Sequence, residues 1–274
     1  MDHSSSLRGS GNPLPPTVLA YLDPLYWDER FAKEDHYEWL KGYSHFRSLI
    51  LTYISPFSSV LELGCGNSQL SDEMHGDGIS NITSIDLSPV AVENCKLRLT
   101  KKGIHGIKVL QADMLNLPFP NESFDVVVEK GTMVKIDQYF IKGKISIRFD
   151  RSLQDVLFVD SGDPWNPKEE SRTKVVSMLR EVHRVLQEKG VFISISFGQP
   201  HFRRRFFESP EFTWSTEWRT FGDGFHYFFY ILEKGKTNGE FNENDVVSKP
   251  SISLVHDEMD DEDYLFGTNF DFES

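Results

Sequence analysis

The stretch Ser59-Val60-Leu61-Glu62-Leu63-Gly64-Cys65-Gly66-Asn67-Ser68 constrains this chain more than any other. Val60, Leu61 and Leu63 form a short apolar run that reads as a buried strand. The run breaks into a glycine loop, and Ser68-Gln69-Leu70 restarts the chain with a helix-starting serine. Strand, glycine turn and helix start together make a nucleotide-type site. Glycine lets the backbone approach a ligand closely, and free N–H groups point into the crevice. A dinucleotide fingerprint would place a third glycine at position 69, where the chain has Gln69. That glycine serves close helix–strand packing beneath a pyrophosphate, so a different ligand is expected. Asp86 ends a second apolar run, Ile82 to Ile85, twenty residues after Gly66. A doubly wound sheet puts there the carboxylate that holds ribose hydroxyls.

Strand-like and helix-like segments alternate along the rest of the chain. Residues 1–16 are polar, with Gly and Pro, and read as disordered. Trp27 and Phe31 are four apart and share a helix face. A second helix is expected over Tyr37 to Ile54, where Trp39, Tyr43, Phe46, Leu49, Ile50 and Tyr53 recur at helical spacing. Phe46 and Tyr53 read as core. Trp27, Phe31 and Trp39 are candidates to cover a cationic ligand with their aromatic faces. Ser88 caps a helix that opens on Pro89 and stops at Gly103. Ile107 to Asp113 is a third strand, and Asp113 sits where a carboxylate meets an adenine amino group. Phe124 to Lys130, nearly all apolar, is a parallel strand covered on both faces. Ser171 to Glu188 is an amphipathic helix ended by Gly190, and Val191 to Phe197 a fifth strand. Phe212–Thr220 and Phe225–Glu233, around a Gly-Asp-Gly turn, close the sheet as an antiparallel pair. The expected fold is α/β, a doubly wound sheet with ligands at the carboxyl ends of its strands.

At 274 residues the chain suits one α/β domain with extra segments. No run of about eighteen apolar residues is present, so no membrane partner is expected, and Met1 to Ser6 lacks the order of a secretory signal. Two cysteines, Cys65 and Cys95, are too few for a disulfide framework or a zinc site. A cytoplasmic location and no metal are the expectations. Of the net charge of −13, nine sit in Lys236 to Ser274, where eleven acids face two lysines. That leaves four on the body and no basic face for nucleic acid. Residues 17–235 are therefore read as the domain, and 236–274 as a solvated acidic, largely disordered tail.

With these residues laid out, the chain resembles the S-adenosylmethionine-dependent class I (Rossmann-like) methyltransferases. Their seven-stranded sheet is mostly parallel with one antiparallel strand near the C-terminus. E-x-G-x-G at Glu62 to Gly66 carries the wider likeness. Within that class it is similar to the group that methylates lysines of translation elongation factor 1A. The motifs are Tyr26-Trp27 with Phe31, Trp39 to Phe46, Leu63 to Ser68, Ser84-Ile85-Asp86, Phe124 to Thr132, Pro200-His201-Phe202-Arg203 and Gly224-Phe225-His226. They span about residues 20 to 235, and Glu129-Lys130-Gly131-Thr132 is the most specific part. The resemblance implies that Trp27, Phe31 and Trp39 surround the cofactor and that Gly64 and Gly66 line it. It also implies that Asp86 and Leu87 hold the ribose, that Asp113 and Met114 flank the adenine, and that Lys130 lies near the methionine end. Spacing alone reaches Gly64, Gly66, Asp86 and Asp113; Lys130 rests on the resemblance.

Three activities remain open on the residues: methylation of a protein lysine, with elongation factor 1A as partner; methylation of a small molecule, since fold does not fix function; and cofactor binding without catalysis. No catalytic residue is assigned, although Glu129 is the carboxylate in sequence that could take a proton. The third activity stays open because Val134 to Gln154 interrupt the resemblance, 21 residues with five basic groups against two acids. They are expected to be a spliced-in segment that leaves folding and cofactor binding intact and slows transfer.

Overall fold

The structure, a computed structural model, describes residues 20–21, 23–132, 162–163, 166–222 and 226–236. The insertion at 134–154, the N-terminal residues 1–16 and the acidic stretch from 237 onward lie outside the described residues.

Among those described, seven strands build one sheet: β1 (Val60–Leu63), β2 (Ile82–Asp86), β3 (Lys108–Gln111), β4 (Phe124–Lys130), β5 (Leu186–Ser196), β6 (Trp214–Phe221) and β7 (Tyr227–Lys234). Their order across the sheet is β3-β2-β1-β4-β5-β7-β6. β1 to β5 pair in parallel, while β7 runs antiparallel to both β5 and β6. One strand is thus reversed, near the C-terminal end, as expected.

Alternate residues of the strands feed two separate cores, which is why the runs are apolar throughout. Leu61, Leu63, Val127 and Phe192 face α5 (Glu169–Val185) through Val175, Met178, Leu179 and Val182. Val60, Val126, Val128, Ile193 and Ile195 face the opposite side, where Phe46, Ile50, Leu70 and Met74 pack. β1 is the first strand laid down and β4 returns to its other edge, so the chain switches direction between them. In such sheets the crevice opens at the carboxyl ends beside that switch.

The structure corrects three sequence expectations. Tyr37 to Ile54 is not one helix: it holds a 3₁₀ turn at Tyr43–His45 and a short α2 at Arg47–Ile50. Leu40 even sits at φ 67°, a left-handed conformation costly for a branched residue. The helical spacing arises because the segment serves two surfaces, Phe46 and Ile50 the core and Trp39 the crevice. The helix expected to reach Glu188 ends at Val185, and Leu186 already belongs to β5. Gly190 lies inside that strand, at a bulge where Phe124 and Val126 of β4 pair with Leu186 and Val191. A Cβ on Gly190 would come within 2.9 Å of the Leu186 side chain and 3.0 Å of the Asp125 carbonyl. Finally, Ser68 does not cap α3 (Leu70–Gly76), whose N-cap position is Gln69. One residue earlier, Ser68 still serves the helix start, since its oxygen accepts the Leu70 N–H at 3.2 Å while its hydroxyl donates to Glu38.

Candidate active site

The glycine loop after β1 is held in left-handed backbone, with Gly64 at φ 65° and Gly66 at φ 47°. Side chains have no room there. A Cβ on Gly64 would stand 2.6 Å from the Thr132 hydroxyl, and one on Gly66 would stand 3.2 Å from the Phe31 ring. The loop therefore has one wall at the end of β4 and another on α1 (Pro24–Lys33), a helix capped by Asp23 through the Leu25 N–H.

Asp86 closes β2 directly under the loop. One carboxylate oxygen accepts the Gly66 N–H at 2.8 Å and the other accepts the Ser88 N–H at 2.9 Å. Burial raises its pKa from the ordinary aspartate value, and these backbone donors work against the shift. Each oxygen keeps a further lone pair, so a diol could add the two hydrogen bonds that favour the ionised form. Ser88 caps α4 (Pro89–Lys101) through the Ala91 N–H, and its hydroxyl donates to Asp28 of α1.

α1 is pinned across the crevice by amides that no periodicity argument identifies. Asn94 Nδ2 donates to the Phe31 carbonyl at 2.8 Å, and Asn67 Nδ2 donates to the Glu34 carbonyl. The aromatic residues form one cluster, Trp27 to Phe31 at 5.6 Å and Trp27 to Trp39 at 5.9 Å between ring centres. Arg30 already stands over two of these faces, 4.8 Å from the Trp39 ring and 5.9 Å from Trp27. It is bonded to Glu34 at 3.3 Å. At the end of β4, Lys130 donates to Glu38 at 2.6 Å and to the Trp39 carbonyl at 2.9 Å.

These walls line an open cavity, about 980 Å³ of free space with the solvent at its mouth included; a largely apolar lining with a few convergent polar groups suits a small-molecule ligand. All ten residues singled out in the sequence line it: Trp27, Phe31, Trp39, Gly64, Gly66, Asp86, Leu87, Asp113, Met114 and Lys130. Asp113 lies beyond the last residue of β3 rather than in it, where its carboxylate accepts the Leu115 N–H at 2.8 Å. Glu129 is not in the wall. It is fully buried, and its carboxylate accepts from the Ser194 hydroxyl and the Thr132 N–H. Sequence reasoning missed Asn67, Ser88 and Glu38 as parts of the site; all three stand inside segments already singled out, but their partners are remote in sequence.

A family model described as a methyltransferase domain matches residues 54–221. The EEF1A lysine methyltransferase 4 of Mus musculus is 35% identical over 226 residues, covering 81% of this chain and 80% of that protein. The chain belongs to the methyltransferase family. A second relative, the eEF1A lysine and N-terminal methyltransferase homolog of Drosophila melanogaster, is 34% identical over 192 residues. The match covers 69% of this chain and only 24% of that longer protein. Among solved structures, the PH0226 protein from Pyrococcus horikoshii OT3 superposes with a TM-score of 0.50 at 12% identity, over 79% of this chain and 95% of that one. That likeness concerns the fold alone. This methyltransferase is thus of the class I, S-adenosylmethionine-dependent type, and its residues fit that cofactor. The loop admits only glycine, a carboxylate at the second strand has lone pairs for a diol, and no phosphate-type third glycine is present.

Proposed function

We propose that the cavity holds S-adenosylmethionine and that the methyl acceptor is a lysine side chain of a protein, translation elongation factor 1A. In this reading Asp86 and Leu87 hold the ribose, with the Asp86 carboxylate taking its hydroxyls, and Asp113 and Met114 border the adenine. Gly64 and Gly66 let the backbone close on the ligand, and Lys130 faces the methionine end. The observation that carries it is the convergence of these residues on one cavity, with both Asp86 oxygens held by backbone N–H groups and still able to accept. The lysine acceptor is supported by the relatives' descriptions as EEF1A lysine methyltransferases. A translation factor would be met in the cytoplasm.

When bound, the cofactor supplies an electrophilic methyl on a sulfonium. The chain's own contribution is to orient the reactants and exclude water, because an in-line displacement is limited mainly by positioning. α1 and the glycine loop form opposite walls, and Asn67 and Asn94 hold them together. A lysine has an ordinary pKa of about 10.4 and must lose a proton before it attacks. Among the described residues, the carboxylates lining the cavity are Asp86 and Asp113, both on the ribose–adenine side. Glu129 is committed to Ser194 and Thr132. The proton leaves through water.

Incubating the purified chain with methyl-labelled cofactor and a whole-cell extract tests the acceptor. Label in a protein band of elongation-factor size, released as methylated lysine on hydrolysis, is expected. Label confined to the small-molecule fraction would replace this acceptor with a small molecule.

A further inference from the structure

The strand order fixes which end of the cavity is which. Asp113 follows β3 and Asp86 ends β2, so a ligand whose ribose lies at Asp86 and whose base lies at Asp113 extends its remaining portion toward β1 and β4. Lys130 ends β4 there, with a side chain only 5% exposed. A buried ammonium at that place faces a difficulty, since the cofactor brings a second positive charge on sulfur. Like charges repel strongly where water is excluded.

Glu38 answers that difficulty by its position. Its carboxylate lies 2.6 Å from Lys130 Nζ, accepts the Gln69 N–H at 2.7 Å and accepts the Ser68 hydroxyl at 3.0 Å. One carboxylate thereby joins the aromatic arm, the glycine loop and the end of β4, and each contributes a wall residue, Trp39, Ser68 and Lys130. Lys130 also donates to the Trp39 carbonyl, and Leu40 just beyond it is held at φ 67°. Strain of this kind persists only where the surroundings over-determine the backbone. A second cation near the cavity, Arg30 of α1, is matched in the same way by Glu34. Both of these positive charges thus have their own acid.

We propose that Glu38 is a positioning residue for the cofactor: by neutralising Lys130 it lets the methionine end of the cavity accept a sulfonium in preference to the uncharged thioether left after transfer. This rests on the assignment of the cavity to S-adenosylmethionine. S-Adenosylmethionine and S-adenosylhomocysteine differ there by one methyl group and one positive charge, so the balance set by Glu38 acts on their difference. Binding of both forms depends equally on Asp86 and the glycine loop, whereas their ratio depends on Glu38 and Lys130.

The test is calorimetric titration of the full chain with each ligand separately, in the absence of any acceptor. Glu38→Gln keeps the size and the accepting oxygen but removes the charge. It is expected to weaken S-adenosylmethionine at least about tenfold relative to S-adenosylhomocysteine, about 1.4 kcal/mol. Lys130→Met leaves Glu38 as an unmatched acid and should shift the ratio the other way, and the double variant should return it near the wild-type value. A merely structural link would weaken both ligands in parallel, and an unchanged ratio in the single variants overturns the proposal. Should Glu38→Gln fail to fold, Lys130→Met decides alone, since a ratio that is unchanged or moves against S-adenosylmethionine overturns it. A wild-type chain that binds neither ligand would instead overturn the cofactor site itself.

Discussion

Glu62 shows how single residues under the site are tuned. It lies in β1 one residue before the loop strand ends, is 3% exposed, and accepts the Ser84 hydroxyl at 2.6 Å. Burial pushes its pKa up to about 7, against the Ser84 hydrogen bond and the positive charges of Arg98 and Lys130, with Glu38 adding to the rise. A carboxyl raised in the folded state stabilises below its unfolded pKa and loses that contribution as pH rises through the folded value. The fold should therefore lose stability between the usual carboxyl pKa and about 7. Glu62→Gln removes this slope. Between about pH 5 and about pH 8 the wild type should lose on the order of 2–3 kcal/mol relative to the variant in urea unfolding. Parallel stability profiles for the two proteins would contradict the assignment. Glu62 was visible in sequence only as a letter of E-x-G-x-G; its burial and shifted titration depend on Ser84 of the neighbouring strand, which spacing does not reveal.

Elements were legible where one duty explained their pattern. β2 and β4 occupy the residues expected from their apolar runs, Ile82–Asp86 and Phe124–Lys130, since both strands are simply covered on two faces. The segment after α1 imitates a single helix in sequence because Trp39 turns to the cavity while Phe46 turns to the core, and the sum has a helical period. Gly190 reads as a helix stop in sequence, yet it is needed for the close approach of Leu186 and the Asp125 carbonyl at the β5 bulge. Gly190→Ala should accordingly destabilise the chain by about 1–3 kcal/mol through overpacking. Its affinity for S-adenosylhomocysteine should stay as in the wild type, because the bulge lies at the start of β5 and the cavity at the strands' carboxyl ends. A melting temperature equal to that of the wild type, or a loss of affinity, would show that this bulge is not what it is taken to be.

At the scale of the molecule, the sheet order β3-β2-β1-β4 makes four separate loops share one cavity, and β5, β7 and β6 complete the cores behind it. Ten separated residues could be named from the sequence because a doubly wound sheet sends ligand groups to strand ends at known spacings, and because the motifs resembled those of a family. The polar pins, Glu38 to Lys130 across 92 positions and Asn94 to Phe31 across 63, carry no such period and emerged only from the folded chain. The central claim is that these strand ends form the S-adenosylmethionine site. Calorimetric titration with S-adenosylhomocysteine of the wild type, Asp86→Ala and Gly66→Val tests it most directly, with melting temperature measured alongside to verify folding. The wild type should bind; Asp86→Ala should lose at least about tenfold in affinity, since hydrogen bonds to a charged group contribute about 1.5–3 kcal/mol each. Gly66→Val should bind least, with a branched side chain forced into left-handed backbone against Phe31. Unchanged affinity in both folded variants would contradict the site.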